Sequence, residues 1–224
     1  VKLQEEYSDG KIINNSFQTN GILLDDEWGS FFSEHDFFIG LSIDGPKEIH
    51  DRFRRFRRGQ NSFEKVLNGL EVLRKHHIDF NTVTCVHSAN SNKPLEIYHF
   101  LKEIGSKFMQ FIPIVERSSS VNTNTELNLV SPDYTGKAAV TYWSIVPLQY
   151  GRFLSSIFDE WVRNDVGKYF IQIFDLSLEA WAGQVPGLCV FQETCGNAFP
   201  IEPRGDLYSC DHYVYPINKL GNIK

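Results

Sequence analysis

Three cysteines close the chain in the pattern Cys189-x5-Cys195-x14-Cys210, and Asp211 and His212 follow the last of them directly. Thiolates are soft ligands suited to zinc or to iron–sulfur clusters. An odd number of cysteines beside an acidic residue points to metal ligation more than to cross-linking. The spacing matches no C-x2-C zinc ribbon, and three unrelated core cysteines would read the same way. Cys85 stands apart from them in an apolar run.

A second group lies at the ends of apolar runs. Gly40-Leu41-Ser42-Ile43-Asp44-Gly45-Pro46 carries a hydroxyl and a carboxylate where a strand would stop. Gln18-Thr19-Asn20-Gly21 and Gln110-Phe111-Ile112-Pro113 put polar residues at the ends of two more. In parallel barrels the active site is built from the C-terminal ends of strands. A plain Asp-Gly-Pro turn explains the first string on its own, but three polar ends on one rim are harder to assign to turns.

A third group is Arg52-Phe53-Arg54-Arg55-Phe56-Arg57-Arg58. Basic residues between aromatics can contact nucleic acid. The net charge of −6 disfavours that partner, and a solvated helix end is the plainer expectation. One arginine of the run could still hold a small-molecule carboxylate, because the guanidinium fork matches two oxygens. His35, His50, His76, His77, His87 and His99 show no H-E-x-x-H spacing and are expected at the surface or at helix ends. No G-x-S-x-G, P-loop or G-x-G-x-x-G string is present.

The elements that must position these residues follow from composition and period. The 224 residues are 42% hydrophobic and include 18 Phe, enough apolar surface to offset ordering entropy. No apolar run approaches the ~18 residues of a membrane span. Strands are expected over 11–20, 37–43, 78–87 and 107–115. Helices are expected over the DDEWGSFFSEH segment after Asp25, over SFEKVLNGLEVLRKHH capped by Ser62, and over PLEIYHFLKEIG from Pro94. Strand and helix alternating at about 30–35 residues per unit imply right-handed crossovers and a parallel sheet. The pattern dissolves between Glu116 and Pro147. An amphipathic helix then covers 148–165, and another is expected over 175–182. After Pro186-Gly187 short runs between turn residues suggest a hairpin turning at Pro203-Arg204-Gly205-Asp206.

The strings QTNGILLDDEW, FFIGLSIDGPKEIHDRFR, MQFIPIVER and GDLYSCDHYVYPINKLGNI together resemble the anaerobic sulfatase-maturating enzymes. These are radical S-adenosylmethionine proteins with a C-terminal SPASM extension, and Cys195-x9-Gly205-x4-Cys210 is similar to the first half of its cysteine motif. The resemblance implies an α/β fold: a partial (β/α)6 barrel over 1–186, missing its first strands, and the start of a SPASM hairpin over 187–224. It implies oxidation of a sulfatase Cys or Ser to Cα-formylglycine. In that family a reduced [4Fe–4S] cluster cleaves S-adenosylmethionine, and the 5′-deoxyadenosyl radical takes a hydrogen from the substrate Cβ. A base removes a proton, and the second electron leaves through auxiliary clusters. The implied partners are a sulfatase polypeptide and an electron donor such as a flavodoxin or ferredoxin, with no nucleic acid and no membrane, in the cytoplasm.

Carried over by resemblance, Ser42 and Arg54 contact S-adenosylmethionine, and Val115 packs against its adenosine part. Cys189, Cys195 and Cys210 ligate the first auxiliary cluster, and Asp211 is the proton acceptor. Beside a negatively charged cluster its pKa should rise above ~3.9, with the carboxyl turned away from solvent toward Ser42. The C-x3-C-x2-C motif of the radical cluster and the later SPASM cysteines are not in this sequence. The chain is therefore expected to be an internal fragment, inactive alone. Two alternatives stand beside this: a non-catalytic zinc module with Cys189, Cys195, Cys210 and His212, and a SPASM maturase of another peptide.

Overall fold

Apolar runs between polar turns build a five-stranded parallel sheet whose strands stand side by side in the order 15–19, 37–42, 80–86, 108–113 and 170–171. The structure is a computed structural model and describes residues 2–119, 128–194 and 198–224. A short helix, α1 (Lys2–Tyr7), precedes β1 (Asn15–Thr19), α2 (Asp26–Glu34), β2 (Phe37–Ser42), α3 (Lys47–Phe53) and α4 (Phe63–Lys75). β3 (Phe80–Val86), α5 (Pro94–Glu103) and β4 (Phe108–Pro113) continue the alternation. β5 (Arg117–Ser119) and β6 (Ala138–Val140) form a separate two-stranded sheet. α6 (Pro147–Asn164), β7 (Phe170–Ile171) and α7 (Gln172–Trp181) follow, and β8 (Asp206–Tyr208) pairs with β9 (Lys219–Asn222).

The four expected strands are all present. The fifth, β7, pairs through Phe170 with Phe108 and through Ile171 with Met109. Two residues are too few to show an alternating period, so this strand was not legible in the sequence. The chain divides into two units: residues 1–115 with 140–172, and residues 116–139 with 173–224.

In the first unit each strand sorts its side chains by alternation. Ile39 and Leu41 of β2, and Ile43 beyond it, are fully buried, as are Leu73 of α4 and Phe32 of α2. Phe32, Ile39, Leu73 and Ile78 make one cluster. Burying each such side chain contributes about 1.5–3 kcal/mol. The opposite face of the sheet carries Gln18, Gly40 and Asn81 in one row, since Gly40 pairs with both neighbours in register. Below that row Phe38 meets Phe108 edge-on and Phe108 stacks on Phe170, with ring centroids 6.1 and 5.2 Å apart.

Ser62 does not cap α4 with its side chain. Asp51 of α3 does so instead, its Oδ1 accepting from Ser62 N and Phe63 N at 3.0 Å each. A carboxylate there also suits the positive end of the helix dipole. The Ser62 hydroxyl is thereby free for the site described below.

α5 and α6 pack side by side and are tied by a buried carboxylate. Asp165 accepts from Tyr98 Oη and Lys102 Nζ, both at 2.7 Å. Burial alone would raise the Asp165 pKa, but the bonds from Lys102 and Tyr98 outweigh it and hold the carboxyl below its usual value. Asp165→Asn is expected to cost about 1–2 kcal/mol at neutral pH, since it removes a charge-assisted bond. A lowered folded pKa stabilises above the unfolded value of ~3.9 and is lost as pH falls through the folded value. Urea unfolding of both proteins from pH 7 to pH 3 checks this: the difference should shrink on acidification. A difference independent of pH would refute it.

The second unit holds the predicted turn. Gly205 N bonds to Glu202 O at 2.7 Å, and Gly205 takes φ +86°, which suits glycine. Ile201 bridges Leu207 across this turn, but the regular ladder of β8 runs to β9.

Candidate functional site

β2 ends at Ser42 because Gly45 takes φ +130° and Pro46 then opens α3. A Cβ on Gly45 would also meet Ile97 Cγ1 at 3.1 Å, so the turn is closely fitted. This brings Asp44 and α3 over the C-terminal ends of β2 and β3. Asp44 is only 2% exposed and makes two strong contacts. Its Oδ1 accepts from Cys85 N at 2.9 Å, and its Oδ2 accepts from Arg54 Nε at 2.6 Å. Arg54 Nη2 reaches Cys85 Sγ at 3.5 Å.

The other side of Arg54 is held through the backbone. Ser62 Oγ donates to Arg54 O at 2.6 Å, and His50 Nε2 lies 3.1 Å from the same hydroxyl. Asp44 N points at His50 Nδ1 at 3.4 Å. A hydroxyl has one proton, and Ser62 gives it to Arg54 O, so His50 Nε2 must carry the hydrogen and Nδ1 must accept. The tautomer is assigned from this network, and it is the neutral one. Burial agrees, pushing the His50 pKa below its usual value. Arg54 moves the other way: burial opposes its charge, but the Asp44 bond and charge prevail and raise it. Burial raises the Cys85 thiol, which keeps it protonated and inert.

Two histidine expectations are therefore corrected. His50 is fully buried and His87 nearly so, the latter edge-on to Phe53 with centroids 4.6 Å apart. α3 has seven residues, too few for its period to reveal which face is inside.

A pocket of about 210 Å3 opens beside this network and is lined by Asn20, Ser42, His50, Arg54, Ser62 and Val66 among others. Ser42 and Asn20 thus share one rim, as their strand ends suggested, and Arg54 at the end of α3 joins them, as the resemblance implied. Val115 follows β4, is 62% exposed and is not among the residues lining that pocket. Arg54 keeps Nη1 without a hydrogen bond among the described residues.

In the second unit Cys189 starts a short 3₁₀ turn and Cys210 follows β8, both partly buried and free of disulfides. Cys195 lies outside the described residues. Cys210 Sγ, Asp211 Oδ1 and His212 Nδ1 lie within 4.8 Å of one another, and Cys189 is not part of that cluster. Asp211 is exposed, contrary to the expectation of a carboxyl turned from solvent. Its pKa is also lowered: desolvation raises it, but the His212 bond at 3.0 Å, the His212 charge and the Cys210 thiol outweigh that. The expected rise depends on the charge of a bound cluster; among the protein groups alone, the bond and charge of His212 act the other way.

The Radical SAM superfamily profile matches residues 1–101. A serine-type anaerobic sulfatase-maturating enzyme of Bacteroides thetaiotaomicron is 47% identical over 223 residues, covering 100% of this chain and 53% of that protein. Along its whole length the chain is similar to the anaerobic sulfatase-maturating enzymes, and over residues 1–101 it matches the radical SAM superfamily. A cysteine-type member from Clostridium perfringens is 36% identical over 214 residues, covering 95% of this chain and 54% of the relative. The solved structure of native anSMEcpe with bound AdoMet and Cp18Cys peptide superposes with a TM-score of 0.83 at 34% identity, covering 99% of this chain and 58% of that one. The chain spans about half the length of the curated relatives it matches. The parallel sheet matches a partial radical-SAM fold, and the Ser42–Arg54 rim lies at its C-terminal strand ends.

Proposed function

We propose that this chain holds S-adenosylmethionine at the Ser42–Arg54 rim of a maturase that oxidises a sulfatase Cys or Ser to Cα-formylglycine. The observation that supports it most is the pocket at the strand ends, which Arg54, with Nη1 unbonded among the described residues, and Ser42 both line. These residues fit the group. Arg54 keeps a donor for an amino-acid carboxylate, and Ser42 offers a hydroxyl on the same rim. Ile22, Phe53, Phe56 and Val66 add apolar surface to the same pocket. Val115 lies beyond it, at the exit of β4, for the adenosine part.

When bound beside a reduced [4Fe–4S] cluster, S-adenosylmethionine supplies one-electron hydrogen abstraction. The chain's own contribution is to bind and orient it and to move a proton. Cys189, Cys195 and Cys210 serve as thiolate ligands of an auxiliary cluster, and Asp211 accepts the proton released from the substrate Cβ. An electron donor of the flavodoxin or ferredoxin type completes the system, in a reducing cytoplasm where thiolates stay available to iron. In this reading residues 1–186 belong to the barrel and 187–224 begin the auxiliary-cluster part.

Anaerobic reconstitution of a full-length protein carrying this chain tests the reading. With reductant, S-adenosylmethionine and a sulfatase peptide bearing Cys or Ser, a brown protein should yield an aldehyde on that peptide. A colourless, zinc-loaded protein that leaves the peptide unchanged would overturn it. Oxidation of a different peptide alone would assign the protein to another maturation reaction.

A further inference from the structure

We propose that Asp44, His50 and Ser62 are positioning residues that close a hydrogen-bonded ring around Arg54 and aim its guanidinium at the carboxylate of S-adenosylmethionine. The inference rests on the reading of the pocket given above and goes beyond it to three residues that act on Arg54: Asp44 behind the pocket, and His50 and Ser62 in its wall.

The ring has four links. Asp44 N donates to His50 Nδ1, and His50 Nε2 donates to Ser62 Oγ. Ser62 Oγ donates to Arg54 O, and Arg54 Nε returns to Asp44 Oδ2. Every donor and acceptor role is consistent with one neutral tautomer of His50, so the ring closes without an unpaired proton. It grips Arg54 at both ends, by its backbone carbonyl and by its guanidinium. An arginine side chain otherwise has several rotatable bonds and loses much rotamer freedom on binding. Fixing Nε and Nη2 beforehand leaves Nη1 as the donor to a ligand, and it reduces the ordering cost of binding.

Asp44 is the central member. It is almost fully buried, and its second oxygen is anchored on Cys85 N of β3. The orientation of Arg54 is therefore referred, through Asp44 at the exit of β2, to the backbone of β3. A site carried on sheet ends holds its geometry more closely than one carried on a loop. Removing the Asp44 charge would leave Arg54 facing an amide, whose NH2 group repels Nε–H in one of its two orientations.

The experiment measures binding of S-adenosylmethionine and of 5′-methylthioadenosine to a full-length, cluster-loaded protein carrying this chain. The second ligand keeps the nucleoside and thioether and lacks the amino-acid part. Wild type should prefer S-adenosylmethionine. Asp44→Asn should weaken S-adenosylmethionine about 10-fold or more, the scale of a hydrogen bond to a charged group, and leave methylthioadenosine unchanged. Arg54→Ala and the double variant Asp44→Asn/Arg54→Ala should bind S-adenosylmethionine equally weakly, because Asp44 acts only through Arg54. His50→Gln keeps a donor for Ser62 and opens the ring at the Asp44 amide; a loss of about 2- to 10-fold is expected for S-adenosylmethionine alone. If Asp44→Asn is not recovered folded, His50→Gln decides the matter by the same comparison.

Equal weakening of both ligands in the single variants, or additive losses in the double variant, would make Asp44 merely structural and overturn the proposal. Unchanged binding in Asp44→Asn would overturn it while leaving the cofactor reading intact. A wild-type protein without any preference for S-adenosylmethionine would remove the reading beneath it, and the ring would lose its ligand.

Discussion

Asp211→Asn, in a full-length protein carrying this chain, is expected to slow formylglycine formation by about 100-fold or more. Proton transfer by a positioned side chain contributes ~100- to 10,000-fold, and an amide of the same shape cannot accept that proton. The Asp211 carboxylate is charged and can accept a proton, although a lowered pKa makes it a weaker base. The His212 bond holds its pKa below the usual carboxylate range, so it is ionised at neutral pH. It stands next to Cys210, so the proposed base and the proposed cluster ligand share one stretch of backbone. The variant should keep its iron–sulfur absorption and still consume S-adenosylmethionine, because neither needs that proton acceptor. Loss of the iron absorption would make Asp211 structural. Peptide oxidation at the wild-type rate would move the base elsewhere.

Gly69→Ala should destabilise the protein by about 2–3 kcal/mol, while Gly151→Ala should stabilise it by about 0.5–1 kcal/mol. Both glycines lie within helices, α4 and α6, where alanine is intrinsically favoured by about 1 kcal/mol. Their surroundings decide the sign. A Cβ on Gly69 would collide with the Gly21 carbonyl oxygen and come within 3.0 Å of its carbon, both backbone atoms that cannot swing aside. Gly21 has no room to retreat: it sits at φ +74°, and a Cβ there would meet Leu41 Cδ1 at 2.6 Å. Around Gly151 there is nothing within 4 Å. At ~2–4 °C per kcal/mol for a chain of this size, thermal unfolding should fall by roughly 4–12 °C in the first variant and rise by about 1–4 °C in the second. The same sign in both variants would refute the packing argument. The Gly69 variant should also disturb the pocket, since Asn20 and Ile22 flank Gly21 and line it.

Much of this architecture was written in local pattern. The apolar run Phe37–Ile43 and the β-branched run before His87 became β2 and β3, and the helical spacing of Val66, Leu70 and Leu73 became the buried face of α4. Polar residues after such runs placed Ser42 and Asn20 at strand ends, and the parallel order of the sheet put those ends on one rim. Pro203 and Gly205 marked a turn that is present. The family resemblance rested on strings whose residues stand at these same junctions.

The sequence by itself determined the alternation of strands and helices, the parallel sheet and the shared rim of Ser42 and Asn20, because each depends on residues close together in the chain or on the rule that crossovers are right-handed. Only the tertiary structure decided who holds Arg54, that His50 is buried and neutral, that Asp51 rather than Ser62 caps α4, and that Asp211 faces solvent. The partners are remote: Asp44 meets Arg54 across 10 positions and Cys85 across 41, and the Asp51 cap reaches Ser62 across 11. Hydrophobic period records which residues point inward within one element. It carries no record of which polar group on another element will meet them, and that choice is made when the elements pack and each buried donor must find an acceptor.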